Sequence, residues 1–203
     1  MNIILFGGTF DPVHRGHLYV AKKALQYKGR NSIKFDRVIF VPNKKNPLGK
    51  TPIATNQDRL NMLNLSIKDN DDFAVSEYEL NKKGDSYTWE TIEYFKSQDD
   101  IAKIALLLGA DSFLTFKKWK CTEFIIENSL LYIYPRPGYN LEEVSLLLND
   151  SFYSKVNYEL IVDQGVSVSS TNIRNSVNEN VATFTEQVVA EYIKKNRLYQ
   201  DSK

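Results

Sequence analysis

Cys121 is the only cysteine among 203 residues, so neither an internal disulfide nor a multi-cysteine zinc site can form, and a reducing cytoplasm is the simplest compartment. An excess of charge is missing too. Lys and Arg number 26 against 25 Asp and Glu, which argues against polymeric DNA or RNA as a partner while leaving room for a local basic pocket that holds a small phosphate ligand. No apolar run is long enough to cross a bilayer; the longest after the N-terminus is Ile104 to Gly109. The opening run through Phe6 is too short for a signal peptide and lacks its basic start. The expectation is a soluble cytoplasmic protein with no membrane partner. Repeats, Pro-rich linkers and low-complexity stretches are absent as well, so residues 1–203 read as one domain. Nothing in the pattern decides whether it forms a homo-oligomer.

What is present is a recurring unit of apolar run, turn and helical pattern. Strands are expected at Ile3–Phe6, Arg37–Val41, Phe73–Ser76, Ile104–Leu108, Leu130–Tyr134 and Tyr158–Val162. Helical spacing marks about 16–28, 56–68, a helix opening near Ser86 with that residue as cap, 171–177 and 186–195. Ile104–Leu108 has no polar alternation, as befits a central parallel strand covered on both faces. The alternation predicts an α/β fold, a doubly wound parallel sheet with helices at the C-terminus. Such sheets bind ligands beyond the carboxyl ends of their strands.

The least ordinary residues follow the first strand, in Gly7-Gly8-Thr9-Phe10-Asp11-Pro12-Val13-His14-Arg15-Gly16-His17. Paired glycines let a ligand lie against bare main chain. A helix beginning near His14 would aim N–H groups and a partial positive charge at the same place, which suits a phosphate. His14 and His17, the only histidines in the chain, are three apart and would share one helix face. A structural role or a zinc pair completed by Asp11 are the alternatives. The segment is neither a Walker loop nor a dinucleotide fingerprint.

A second anion site is suggested by Ser169-Ser170-Thr171-Asn172-Ile173-Arg174. Hydroxyl residues before a helix supply a cap, and Arg174, one turn in, carries a planar charged fork. A plain cap with a surface arginine is the alternative.

Gly-Gly-Thr-Phe-Asp-Pro-x-His-x-Gly-His resembles the signature of the nucleotidyltransferases that share a histidine-glycine-histidine motif with class I aminoacyl-tRNA synthetases. The form with His14 is similar to the bacterial nicotinate-nucleotide adenylyltransferases, and the likeness extends along essentially the whole chain. It implies a Rossmann-like nucleotidyltransferase fold and transfer of the adenylyl group of ATP to nicotinate mononucleotide, with release of pyrophosphate. His14, His17 and Arg174 would be catalytic. Gly7, Gly8, Thr9, Phe10, Gly16, Gly109, Asp111, Ser170 and Thr171 would bind ATP, with Asp111 accepting from ribose hydroxyls. Lys50, Tyr87, Thr88 and Trp119 would hold the mononucleotide, Trp119 by stacking on the pyridine ring. Around Lys50 this chain has Pro-Leu-Gly-Lys where the family often has Pro-Pro-His-Lys, and a solvated surface loop is the other reading. Arg136, in the Arg-Pro-Gly-Tyr turn, is as well explained by a structural ion pair. Magnesium would arrive with ATP, with no metal site of the protein's own. Phosphopantetheine or cytidylyl transfer, nucleotide sensing without turnover and zinc hydrolysis are the competing functions.

Overall fold

The computed structural model describes residues 1–29, 32–45, 51–135, 151–161, 169–175 and 181–200. Six strands form one sheet: β1 (Asn2–Gly8), β2 (Arg37–Pro42), β3 (Phe73–Val75), β4 (Lys103–Gly109), β5 (Leu130–Tyr134) and β6 (Tyr158–Leu160). Their order is β3-β2-β1-β4-β5-β6 and every pairing is parallel. Successive side chains in a strand point to opposite faces, and this divides the core in two. Ile4, Val38, Phe40, Ala105 and Leu107 pack on one face with α1 (Arg15–Gln26), α2 (Asn56–Ile67) and α8 (Gln187–Lys195). Ile3, Leu5, Ile39, Val41, Leu106 and Leu108 pack on the other against α4 (Thr88–Lys96), α5 (Ala110–Leu114) and α6 (Thr122–Asn128). Burial on both faces is why these strands read as unbroken apolar runs.

Two short helices complete the described set, α3 (Tyr78–Asn81) and α7 (Ser170–Asn175). Helices α3, α5 and α6 have 4, 5 and 7 residues, too few to carry a periodic signal, and were not expected; α7, with 6, falls where a helix was expected at 171–177. The expected turn at Gly7–Gly8 is instead strand. Both residues stay in the ladder opposite Val41 and Pro42, and the chain turns only after Gly8. Helix α4 begins later than expected: its N-cap is Tyr87, and the Ser86 hydroxyl accepts from the Lys44 N–H at 3.1 Å. Val162, Ser176, Val177, Arg136 and Lys50 lie outside the described residues.

Phe10 decides the shape of the turn. Its φ of 48° lies in the left-handed region, costly for an aromatic residue. The compensation is a buried ring, edge-on to Phe6 at 5.5 Å and to Phe40 at 5.6 Å. That ring lies across Gly8, where an added Cβ would come within 2.8 Å of it, whereas one on Gly7 would meet nothing within 4 Å. Gly8→Ala should therefore cost about 1–3 kcal/mol in urea unfolding through overpacking. Gly7→Ala should unfold at or slightly above the wild-type midpoint, because it stiffens the unfolded chain without a clash.

Candidate active site

The carboxyl ends of β1 and β4 open into a cavity of about 560 Å³. Here β2 lies on one side of β1 and β4 on the other, so the chain order reverses, and the crevice is where open α/β sheets take ligands. Gly7, Gly8, Thr9 and Phe10 line it from β1, Gly109 and Asp111 from the end of β4. His14 and His17 stand on one side with Ser170 and Thr171, and Tyr87, Thr88 and Trp119 on another. Gly16 is buried in the first turn of α1 and does not line the cavity.

The two imidazoles are arranged differently from the expected pair on one helix face. His14 is the N-cap of α1, and its Nδ1 accepts from the His17 N–H at 3.3 Å. In return, His17 Nδ1 accepts from the His14 N–H at 3.2 Å. This is a capping box built from imidazoles, where a hydroxyl and a carboxyl residue usually serve. The rings stack with centroids 3.6 Å apart and planes 22° from parallel. An Nδ1 that accepts carries no proton, so each neutral ring holds its proton on Nε2. The helix start itself is less bare than expected. The Arg15 N–H donates to the Phe184 carbonyl at 2.9 Å, and the His17 N–H is taken by the cap. What α1 offers the cavity is two oriented imidazoles and the positive end of its dipole.

Helix α7 reaches the same cavity from 158 residues away. The Ser170 hydroxyl donates to the Pro12 carbonyl at 3.0 Å, while the Ser169 hydroxyl caps the helix by accepting from the Asn172 N–H at 3.1 Å. Arg174 stands behind this wall rather than in it. Its Nη1 donates to the Asp11 carbonyl at 2.6 Å and lies 4.0 Å from the Asp11 carboxylate, and Nη2 donates to the Thr171 hydroxyl at 3.2 Å. It clasps α7 to the first loop.

Asp11 gathers more than Arg174. Its carboxylate accepts from the N–H groups of Ile53 at 2.8 Å and Ala54 at 3.1 Å, and from the Tyr199 hydroxyl at 2.7 Å. Burial and the Asp11 charge push the Tyr199 phenol up, so it stays a donor. Arg59 is fully buried and donates to the carbonyls of Thr9 at 2.6 Å and Asn43 at 2.7 Å. Burial lowers its pKa, and the charge of Asp11 opposes that. Sequence reasoning missed Arg59, Tyr199 and Asn43, because partners this distant leave no local pattern. Two oxygens in the cavity wall, the carboxylate Oδ1 of Asp111 and the amide Oδ1 of Asn43, are buried and have no hydrogen-bond partner among the described residues. Buried polar atoms rarely go unpaired, and these two are acceptors that suit ligand hydroxyls or amines.

The Cytidylyltransferase-like family model matches residues 5–176. The chain belongs to that family. Among its relatives, a protein of Clostridium tetani named as a probable nicotinate-nucleotide adenylyltransferase is 35% identical over 97% of this chain and 98% of its own. One of Aquifex aeolicus with the same name is 37% identical over 83% of this chain and 98% of its own. The fold matches that of the Plasmodium falciparum nicotinic acid mononucleotide adenylyltransferase complexed with NaAD, with a TM-score of 0.76 at 19% identity, covering 98% of this chain and 97% of that one.

The far wall of this cytidylyltransferase-like cavity carries Glu79 and Thr91 in addition to the expected Tyr87, Thr88 and Trp119. The Thr91 hydroxyl donates to Glu79 Oε1 at 2.6 Å, which ties α3 to α4 behind the Tyr87–Thr88 turn. Burial raises the Glu79 pKa, with the Thr91 and Ser86 hydrogen bonds opposing. Between its unfolded and folded pKa values the native state holds the extra proton, so this group's contribution to stability falls as pH rises above the ordinary carboxylate range. Glu79→Gln keeps the acceptor for Thr91 without the charge. It should be more stable than wild type at pH 8 and lose that advantage near pH 4 in paired thermal melts.

Proposed function

We propose that this protein transfers the adenylyl group of ATP to nicotinate mononucleotide, forming nicotinate adenine dinucleotide and pyrophosphate in NAD biosynthesis. The observation that carries the reading is the convergence of two distant helix starts, at His14 and at Ser170, on one cavity whose opposite wall holds Tyr87, Thr88 and Trp119. Full-length similarity to the nicotinate-nucleotide adenylyltransferases supports the choice of substrates. Cys121, the lone cysteine, and the lack, among the described residues, of a helix able to cross a membrane fit a cytoplasmic enzyme.

ATP would lie over Gly7–Phe10, its triphosphate beside the imidazoles and the Ser170–Thr171 hydroxyls. Open space above Gly7 leaves the main chain accessible to it. Asp111 and Asn43, each with an unpartnered oxygen, would accept from the nucleotide's hydroxyl or amino groups. A phosphate oxygen of the mononucleotide attacks the α-phosphorus in line, the bond from that phosphorus to the bridging oxygen breaks, and pyrophosphate departs with the electron pair. The attacking phosphate is already ionised, so the chain has no proton to remove, and its part is positioning and charge stabilisation. His14 and His17, locked by their capping bonds, would donate from Nε2 to the non-bridging and leaving oxygens. Arg174, behind the Thr171 wall, would add positive charge on the leaving side. Magnesium, entering with the triphosphate and retaining water, would supply further neutralisation; one unpaired carboxylate oxygen in the wall fits an ion held mainly by ATP.

His17→Ala tests the catalytic assignment. In a coupled pyrophosphate-release assay, loss of an oriented donor should lower kcat about 10²–10³-fold; near-normal turnover would remove His17 from the mechanism. Trp119, half-buried and edge-on to Phe116 at 5.4 Å, presents its ring to the mononucleotide side. Trp119→Ala should raise KM for the mononucleotide about tenfold and leave KM for ATP within about twofold. An equal rise for both substrates would place the indole elsewhere. Phosphopantetheine, supplied in place of the mononucleotide, should give no pyrophosphate.

A further inference from the structure

Helix α8 (Gln187–Lys195) ends in a turn that glycine usually makes. The Arg197 N–H donates to the Lys194 carbonyl at 3.2 Å and the Leu198 N–H to the Ile193 carbonyl at 3.0 Å. These are the two closing bonds of a helix whose following residue is left-handed. Here that residue is Arg197, with φ of 52°, and Tyr199 is left-handed again at 64°. Such backbone is unfavourable for residues with a Cβ, and it recurs within three residues. What it achieves is direction. The turn carries the Tyr199 phenol beneath the first loop, where the ring is buried and the hydroxyl donates to Asp11 Oδ1 at 2.7 Å. The base of the turn is fixed too. The Tyr192 hydroxyl donates to Asp58 Oδ1 at 2.9 Å and accepts from Asn61 Nδ2 at 2.8 Å, which docks α8 on α2.

Tyr199 stands outside the cavity wall, so its influence on the chemistry passes through Asp11. That residue is well placed to transmit it. Its carbonyl accepts from Arg174, which also holds the Thr171 hydroxyl, and the next carbonyl, of Pro12, accepts from Ser170. His14 follows two residues after Pro12. The position of Asp11 therefore sets the imidazoles against the Ser170–Thr171 wall. Its carboxylate also accepts from the N–H groups of Ile53 and Ala54, but these are neighbours on one segment. The Arg174 guanidinium is 4.0 Å from Oδ2, beyond hydrogen-bond reach. Among the described residues the phenol is the only side-chain hydrogen-bond donor to this carboxylate, and it fixes the group from a second direction. We propose that Tyr199 is a positioning residue for adenylyl transfer: acting through Asp11, its hydroxyl keeps the two histidines in register with Ser170 and Thr171. The inference rests on the function proposed above.

The test is steady-state kinetics of Tyr199→Phe in the pyrophosphate-release assay, with a thermal melt of the same sample. This variant removes the hydroxyl and keeps the packing of the ring. Its kcat should fall about tenfold, because a loop displaced by a fraction of an ångström loses alignment at the α-phosphorus. KM for the mononucleotide should stay within about twofold, since the Tyr87 and Trp119 wall is untouched. Asp11→Asn and the double variant complete a mutant cycle. If the phenol acts through Asp11, the double variant should be no slower than Asp11→Asn alone. Losses that multiply would route the phenol elsewhere and overturn the proposal. A wild-type kcat in Tyr199→Phe would do the same by leaving the ring a packing role only. So would a melting midpoint fallen below the assay temperature, which would put the whole effect in the fold. Wild-type turnover separates the two claims. Pyrophosphate release from nicotinate mononucleotide that Tyr199→Phe matches removes only the role of Tyr199, whereas a wild type without turnover removes the proposed function and this inference with it.

Discussion

The carboxylate of Asp11 joins four parts of the chain: the loop after β1, the residue 53–54 segment before α2, helix α7 through Arg174, and the C-terminal Tyr199. A buried carboxylate is unfavourable unless it is paired and hydrogen-bonded. Here three donors and a guanidinium satisfy it, so the native arrangement is the one in which all four segments are present together. The loop's main chain is held from the same quarter. Arg174 takes the Asp11 carbonyl, Ser170 the Pro12 carbonyl and Arg59 the Thr9 carbonyl. A ligand-binding turn needs its backbone fixed to within a fraction of an ångström for positioning to count in catalysis. Arg174 and Arg59 anchor this turn from outside the cavity, and Ser170 from its wall.

In the proposed reaction the imidazoles would act as donors, and the same arrangement orients them. Their Nδ1 atoms close a capping box across the start of α1, which fixes both rings and leaves both protons on Nε2. Orientation is set before any ligand arrives, and little reorganisation remains for the reacting complex. The cost of placing Phe10 in a left-handed conformation is offset by burial of its ring among Phe6, Phe40 and His17. The same packing holds His17 edge-on to a rigid aromatic wall. Fold and site are therefore one set of contacts at this turn.

Much of this was legible from residues alone, for reasons that differ by element. The central strands β1, β2, β4 and β5 were readable because burial on both faces leaves unbroken apolar runs, and α1, α2 and α8 because they are long enough for periodicity. The first loop stood out because three glycines and the only two histidines fall within eleven residues. The place of Arg174 was not readable. Its position one turn into a helix suggested reach toward a phosphate, but its donors go to Asp11 and Thr171, partners that only folding brings within range. Arg59 reads as one polar residue on an amphipathic helix, yet it is fully buried beneath the active-site turn.

By itself the sequence determined the α/β architecture, the order of its elements and the residue types available for handling a phosphate, because these depend on periodicity and on chemistry carried within short segments. Only the tertiary structure decided which of those residues share a cavity and which ring nitrogen keeps its proton. Those properties depend on distances between atoms far apart in the chain, and such distances come from packing the two faces of the sheet rather than from any local pattern.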